Sequence, residues 1–207
     1  MANEREHIAQ AAAQLIIESG IADWQFARRK AVKQLGLSER SPMPDRAELE
    51  AALREYAAIY LTEEQPELVD ELRSEALQWM ELLAEFDPVL TGPAAEGWAY
   101  PGCEIRLELL ADDVKLVEIT LLNRQVSVDH APARSPSSTP VLEAEGYTGP
   151  VRLIIHDVRD RRNRKRDRTR MKVGELRALV SGAGDGNADA DADTAADAHN
   201  RAARAER

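Results

Sequence analysis

Cysteine and aromatic residues are scarce in this sequence, and both scarcities limit what the protein can be. The single Cys103 cannot form an internal disulfide or supply a cysteine-based structural zinc site. Aromatic residues make up only 4% of the chain, so the core must be built mainly from Leu, Ile, Val and Ala. The sequence lacks the run of roughly 18 apolar residues that a membrane span needs, and residues 1–10 lack the apolar region of a signal peptide. We therefore expect a soluble, cytoplasmic protein.

Positive charge is also in deficit, with a formal net charge of -10 over 207 residues. An acidic surface repels phosphate backbones, which argues against a general affinity for nucleic acid. The charge is unevenly distributed, because residues 38–87 contain fourteen acidic and four basic side chains, whereas residues 159–172 contain nine basic and two acidic ones. This basic segment is a candidate surface for RNA or an acidic partner; the alternative is a solvated segment or one that binds the chain's own acidic helices.

Residues 1–87 carry the apolar periodicity of α-helices. The stretch from about Glu6 to Leu37 predicts two helices, the second of them beginning after an N-cap at Asp23. Asp45, with Glu48 three residues later, predicts a capping box at the start of the helices that follow. We interpret residues 1–87 as a helical region.

Residues 88–158 change to the alternating pattern of β-strands. The predicted strands are Glu104–Leu109, Val114–Leu122, Val126–Val128, Val141–Ala144 and Val151–Ile155. Residues 131–140 are rich in Pro and Ser and predict a mobile loop. Residues 159–180 combine the basic segment with a short helix over Val173–Val180, and residues 181–207 have the composition of a disordered tail. The expected fold class is α+β, with a helical N-terminal half, a small mixed sheet and a disordered C-terminal tail.

One motif in this region resembles the nucleotidyltransferase superfamily. The apolar Leu90 is followed by a turn at Gly92, a spacer of ten residues over Ala94–Cys103, and the strand Glu104-Ile105-Arg106-Leu107. Members of that superfamily have an apolar residue, Gly and a small residue, and then a strand that reads acid-apolar-acid-apolar. A third acid follows on a neighbouring strand, and Glu118 within Val117-Glu118-Ile119 fits that position.

The resemblance implies a particular chemistry. Two acids at i and i+2 lie on one face of a strand, and with a third acid on the adjacent strand they hold Mg²⁺ ions that neutralise a triphosphate. It therefore implies Glu104 and Glu118 as catalytic residues and as metal ligands for Mg²⁺. Glu108 shares the strand face of Glu104 and is the candidate third metal ligand in a shifted Glu104, Glu108 and Glu118 site. It further implies that Gly92 and Arg106 contact the bound nucleotide.

The sequence departs from this pattern at two positions. Arg106 occupies the place of the second acid, and a guanidinium cannot ligate a metal. Pro93 follows the glycine and has no backbone N–H to offer to a phosphate. These departures predict impaired catalysis, with any surviving activity being Mg²⁺-dependent nucleotidyl transfer. An alternative interpretation is that Glu104, Arg106 and Glu108 form the solvated face of a strand, with Arg106 paired to Glu118, and that Gly92 belongs to an ordinary turn.

The chain also resembles a group of short, uncharacterised bacterial proteins, through the helix start Ile21-Ala22-Asp23-Trp24-Gln25-Phe26-Ala27, the turn Leu90-Thr91-Gly92 and the segment Val117-Glu118-Ile119. Some of those proteins carry the name UDP-N-acetylmuramate–alanine ligase. The sequence does not predict that ligase activity, because it contains no phosphate-binding loop of the type G-x-x-x-x-G-K-[ST] and is too short for a three-domain ligase.

The function predicted from the sequence is a nucleotidyltransferase-like protein with an impaired catalytic centre, which binds a nucleotide or a nucleic-acid end. The alternative is a non-enzymatic regulatory or interaction protein. It would bind DNA through the helical N-terminus, where a basic helix follows Gly20, or bind RNA or an acidic partner through the basic segment. Cys103, His130 and His156 lack the neighbours that a nucleophile or a metal ligand needs, and no role is predicted for them.

Overall fold

A computed structural model describes residues 2–131, 139–159 and 169–182 of the chain. Its N-terminal half is helical, as predicted. The four helices are α1 (Ala2–Ser19), α2 (Trp24–Gln34), α3 (Arg46–Tyr60) and α4 (Gln65–Leu82), and a 3-10 turn follows at Ala84–Phe86. Among the described residues, no helix combines the length and the apolar character needed to cross a membrane.

The predicted helix caps are confirmed. The Asp23 carboxylate accepts hydrogen bonds from the backbone N–H groups of Gln25 and Phe26, which begins α2. Asp45 and Glu48 form the capping box at the start of α3, each side chain accepting from the other's backbone N–H. Both caps satisfy backbone donors that the first turn of a helix leaves unpaired. The second cap makes Arg46 the first residue of α3.

The C-terminal half forms one mixed sheet of six strands. The strands are β1 (Val89–Thr91), β2 (Ile105–Leu110), β3 (Asp129–His130), β4 (Val141–Glu145), β5 (Pro150–His156) and β6 (Arg170–Lys172), in the order β3-β4-β5-β2-β1-β6. Within the described strands, β2 and β5 are the parallel pair, and the other neighbours are antiparallel. The α+β fold class is therefore confirmed.

The two faces of the sheet differ in polarity because side chains alternate along each strand. One face carries buried aliphatic residues of β2 and β5: Ile105, Leu107, Leu109, Val151 and Leu153. They belong to the same core as Leu72 and Ala76 of α4 and Val117 of a helix at residues 114–123. The opposite face carries Arg106 and Glu108 of β2 and Arg152 and His156 of β5, all charged or polar. Glu104 immediately precedes β2.

The prediction of a strand over Val114–Leu122 is wrong. The segment is a helix, α6 (Val114–Asn123), that begins after Asp113, whose side chain accepts from the backbone N–H of Lys115. Its β-branched residues favoured a strand locally. However, β2 and β5 are parallel, and parallel neighbours require a long crossover connection, which here includes α6. The predicted strand at Val126–Val128 is also wrong, since the short strand β3 lies at Asp129–His130.

The remaining segments lie around these elements. A short helix α5 (Pro93–Glu96) follows β1, and α7 (Val173–Val180) confirms the predicted terminal helix and packs against α4. Strand β6, at the end of the basic segment, extends the sheet beside β1. Residues 132–138 of the predicted mobile loop, residues 160–168 of the basic segment and residues 183–207 of the predicted disordered tail lie outside the described residues.

Candidate functional site

The glycine turn lies between β1 and α5 and requires a glycine for two reasons. Gly92 has φ 74 and ψ -153, a backbone conformation that is essentially restricted to glycine. A Cβ atom at this position would lie 3.2 Å from Cζ and Nη1 of Arg106. The guanidinium of Arg106 therefore packs directly against the turn, in the space where the resemblance placed the phosphates of a nucleotide.

Arg106 is buried and paired with two carboxylates. Its side chain is 7% exposed; Nε donates to Glu104 at 3.0 Å, and Nη1 and Nη2 donate to the two oxygens of Glu50 on α3 at 3.4 and 3.2 Å. Burial alone would lower the pKa of Arg106, but Glu104 and Glu50 raise it. The charged guanidinium is therefore a fixed part of this site.

Glu104 is the centre of the ion-pair network. One carboxylate oxygen accepts from Nη2 of Arg46 at 2.6 Å and from Nε of Arg106 at 3.0 Å, and the other lies 4.0 Å from Nη1 of Arg152. Burial alone would raise the pKa of Glu104, but these guanidinium groups hold it below its ordinary value. We call these four residues together with Glu50 the arginine–glutamate network: Arg46, Glu50, Glu104, Arg106 and Arg152.

The strand beside β2 provides an arginine where the resemblance expected a third acid. In the parallel pairing of β2 and β5, Arg152 lies in register with Arg106. Its Nη1 donates to Glu143 of β4 at 2.9 Å. Arg106 thus stands at the second carboxylate position of the pattern, and Arg152 lies beside it on β5.

The other predicted site residues lie apart from this network. Glu118 lies on α6 and contacts Nε2 of His130 at 2.7 Å, so it is not on a strand next to β2. Glu108 lies two residues beyond Arg106 and pairs with Arg170 and with His156. Burial would raise the pKa of Glu108, but these two partners lower it. The alternative pairing of Arg106 with Glu118 is also wrong, because Arg106 pairs with Glu104 and Glu50.

The donor set around Glu104 does not fit Mg²⁺. Within the described parts of the chain, no group of three or more His, Cys, Asp or Glu side chains could hold a metal ion, so Glu104, Glu108 and Glu118 do not form the predicted cluster. Like unit charges 4 Å apart repel by about 4 kcal/mol at an effective dielectric of 20, and a divalent ion beside Arg46 and Arg106 would meet more than that. The guanidinium groups of Arg46 and Arg106 therefore oppose a divalent cation at Glu104.

A cleft of about 580 Å³ opens beside the network. It lies between the turn joining α1 to α2, the first residue of α3 and the starts of β2 and β5. Its lining includes Trp24, Arg46, Tyr100, Glu104 and Arg152. The Arg46 guanidinium lies 4.7 Å from the centre of the Trp24 ring, a cation–π contact. The volume falls within the range of small-molecule sites, and a few polar groups converge on an otherwise apolar wall.

Sequence reasoning missed the residues that define this cleft. Arg46 is 58 positions from Glu104 and Glu50 is 56 positions from Arg106. Arg152 lies beside β2 only because β5 pairs with that strand. The one local signal was the capping box, which places Arg46 at the first position of α3. The contacts themselves depend on tertiary packing.

Comparisons with known proteins yield only distant likenesses. No protein-family model matches the chain, and no curated protein matches it significantly. A solved cytoplasmic RNA terminal U-transferase shows 16% identity and a TM-score of 0.29 over 45% of this chain and 28% of that chain. An RNA terminal uridylyl transferase gives 15% identity and a TM-score of 0.30 over 45% and 30%. A poly(U) polymerase with MgGTP bound shows 14% identity and a TM-score of 0.28 over 45% of this chain and 32% of that chain.

The chain thus spans less than a third of the length of each of these structures. By their names they belong with the nucleotidyltransferases, the superfamily that the sequence resembles. TM-scores of this size carry no argument for a shared fold or activity. None of the comparisons supports the resemblance to short bacterial proteins.

Proposed function

We propose that this chain is a nucleotidyltransferase-like protein without transfer activity, which binds a nucleotide or a nucleic-acid end in the cleft beside Arg46 and Arg152. The observation that carries the proposal is the position of Arg106. Its buried guanidinium fills the space between the strand and the Gly92 turn, where transfer chemistry would need a metal-bound carboxylate.

The loss of chemistry follows from the charges of the network. A general transfer mechanism needs carboxylates that concentrate divalent cations around a triphosphate. Here Arg106 stands at the second of those positions with Arg152 beside it on β5, and Glu104 accepts hydrogen bonds from Arg46 and Arg106. The network thus replaces metal cations with guanidinium groups, which bind phosphate oxygens directly through paired N–H donors.

The cleft supplies groups suited to a phosphorylated ligand. Arg152 is 27% exposed and is held by Glu143, whose side chain is more exposed still. A phosphate entering the cleft can replace Glu143 at Arg152 without leaving that carboxylate buried and unpaired. Trp24 and Tyr100 add aromatic surface to the same cavity, which suits a nucleobase or ribose.

Isothermal titration of the full chain with ATP, CTP, GTP and UTP, each with Mg²⁺ and with EDTA, tests this proposal. We expect at least one nucleotide to bind equally well in both buffers, and Arg152→Ala to weaken it about tenfold, the value of a charge-assisted hydrogen bond of about 1.5 kcal/mol. Arg124→Ala, an exposed arginine following α6, is the matched control and should have no effect. Absence of binding for all four nucleotides contradicts the proposal, as does incorporation of labelled nucleotide into an RNA or DNA primer.

A further inference from the structure

The outer face of α2 carries a stripe of basic residues with one exposed aromatic ring. Phe26, Arg29, Lys30 and Lys33 recur at i, i+3, i+4 and i+7, the spacing that puts side chains on one face of a helix. All four are exposed, and Phe26 is 49% exposed. The opposite face packs into the core through small or β-branched residues: Ala27, Ala31 and Val32.

The cationic side chains of this stripe form no ion pair within the part of the chain that the structure describes. Several other arginines form ion pairs with carboxylates: Arg5, Arg46, Arg54, Arg106, Arg152 and Arg177. Across residues 2–131, 139–159 and 169–182, Arg29, Lys30 and Lys33 have no ion pair with a carboxylate of this chain. In a protein with a net charge of -10, these three side chains are a local concentration of positive charge.

The stripe lies on the same helix as two residues that line the cleft. Trp24 and Gln25 at the start of α2 line the cavity, and Phe26 is the next residue along the helix. From Phe26 to Lys33 the stripe extends about 10 Å, at a rise of roughly 1.5 Å per residue. The helix that carries the stripe therefore also borders the cleft.

We infer that the outer face of α2 binds single-stranded nucleic acid. Cations spaced along a helix follow a phosphate backbone, and an exposed aromatic ring at the end of the row stacks on a base, which is the combination used by proteins that bind single strands. An acidic peptide would use the cations but not the ring. The placement of the strand's end in the cleft rests on the proposed function, whereas binding along α2 does not.

Fluorescence anisotropy of a labelled 15-nucleotide single strand with the full chain tests the inference. We expect binding at low salt, with log K falling by about 2 per tenfold rise in salt, as three phosphate contacts on a single strand would give. The variant R29E/K33E should lose about tenfold or more in affinity and flatten this slope. Phe26→Ala should lose about fivefold with the slope unchanged, because stacking does not release counterions.

The matched control is K115E/R124E, which changes the charge by the same amount at two exposed residues of the α6 region. It should retain the parent affinity within about twofold. Equal losses in the two double variants would overturn the inference, because net charge alone would then explain binding. It is also overturned if the parent chain binds no strand, or if polyglutamate of similar charge binds as tightly as the oligonucleotide and Phe26→Ala has no effect.

The same variants separate this inference from the proposed function. Titration of R29E/K33E with single nucleotides should match the parent, since the stripe lies outside the cleft. If no nucleotide binds but the strand does, and R29E/K33E releases it, the cleft proposal fails and the α2 surface stands. If nucleotides bind and the strand does not, the inference about α2 fails alone.

Discussion

Two buried glutamates of this protein are stabilised in opposite ways. Glu104 lies among the guanidinium groups of the arginine–glutamate network. Glu75, on α4, is 2% exposed and accepts hydrogen bonds from the backbone N–H groups of Tyr147 and Thr148 at 2.8 Å each and from the Thr148 hydroxyl at 2.5 Å. Trp79 Nε1 donates to it as well.

The difference indicates what each glutamate does. Glu75 joins α4 to the turn between β4 and β5 through neutral donors, and within the described residues it makes no ion pair. Buried polar groups satisfied in this way fix a structure. The Glu104 site contains three arginines, borders a cleft and is the place where the resemblance expected metals. Charged side chains that converge beside an open cavity are a feature of binding sites rather than of structural connections.

Removing Glu75 should have the largest effect on stability. Glu75→Ala removes the acceptor of the part-buried hydrogen bonds from the N–H groups of Tyr147 and Thr148, and each donor left unpaired costs about 1–3 kcal/mol. We expect a loss of about 4 kcal/mol in the free energy of unfolding, measured by urea denaturation. Asp70→Ala, an exposed acid on the same helix, should change it by less than about 0.5 kcal/mol. A loss below about 1 kcal/mol for Glu75→Ala would show that Glu75 is not a structural connection.

Glu104→Gln should lower the free energy of unfolding by less than Glu75→Ala, and the size of this loss should depend on pH. The substitution leaves Arg46, Arg106 and Arg152 with one fewer carboxylate, which we expect to destabilise the fold by about 3 kcal/mol at pH 7. Because the folded pKa of Glu104 lies below its ordinary value, its contribution is complete above the unfolded pKa and is lost as pH falls through the folded pKa.

Urea denaturation at pH 7 and at pH 3 tests this dependence. The gap between the parent chain and Glu104→Gln should be smaller at pH 3, whereas Glu145→Gln, an exposed glutamate at the end of β4, should show no gap at either pH. A gap that widens on acidification would contradict the pairing of Glu104 with cations.

A substitution at Gly92 should have a smaller effect on stability, and both the backbone conformation and the contact with Arg106 contribute to it. Gly92→Ala would put a side chain in a conformation essentially restricted to glycine, at 3.2 Å from the Arg106 guanidinium. We expect a loss of about 2 kcal/mol in the free energy of unfolding. Gly174→Ala in α7, where a Cβ meets no atom within 4 Å, should be neutral or stabilising by up to about 1 kcal/mol. Equal effects in thermal or urea unfolding would mean that Arg106 does not pack on the turn.

The smallest effect is expected at Cys103, whose thiol should not react with a labelling reagent in the native protein. Burial raises the pKa of its thiol to about 12, so the reactive thiolate is scarce at pH 8. A chromogenic disulfide reagent should leave the native chain unmodified over the time in which it labels the chain in urea. Rapid labelling of the native protein would indicate that the strand start beside Glu104 opens to solvent.

Sequence patterns predicted the N-terminal helices and the strands β2, β4 and β5, but not the contacts between elements. The strand Glu104–Leu109 is present as β2, one residue later, because its alternation reflects one apolar and one polar face. The segment Val114–Leu122 was misassigned because its β-branched residues favour a strand locally. The parallel pairing of β2 and β5, which requires a long crossover connection, cannot be seen in the local sequence. Arg152 was missed for the same reason, since the pairing of β5 with β2 joins segments separated by two further strands. The polar sheet face could be expected, whereas its neutralisation by α3 could not.

Titration of the protein with Mn²⁺, followed by electron paramagnetic resonance of the free ion, tests the central claim most directly. If the arginine–glutamate network has replaced a metal centre, the parent chain and Glu104→Gln will show the same weak binding, with no stoichiometric site. Binding of one or two Mn²⁺ ions per chain that Glu104→Gln abolishes would contradict that account.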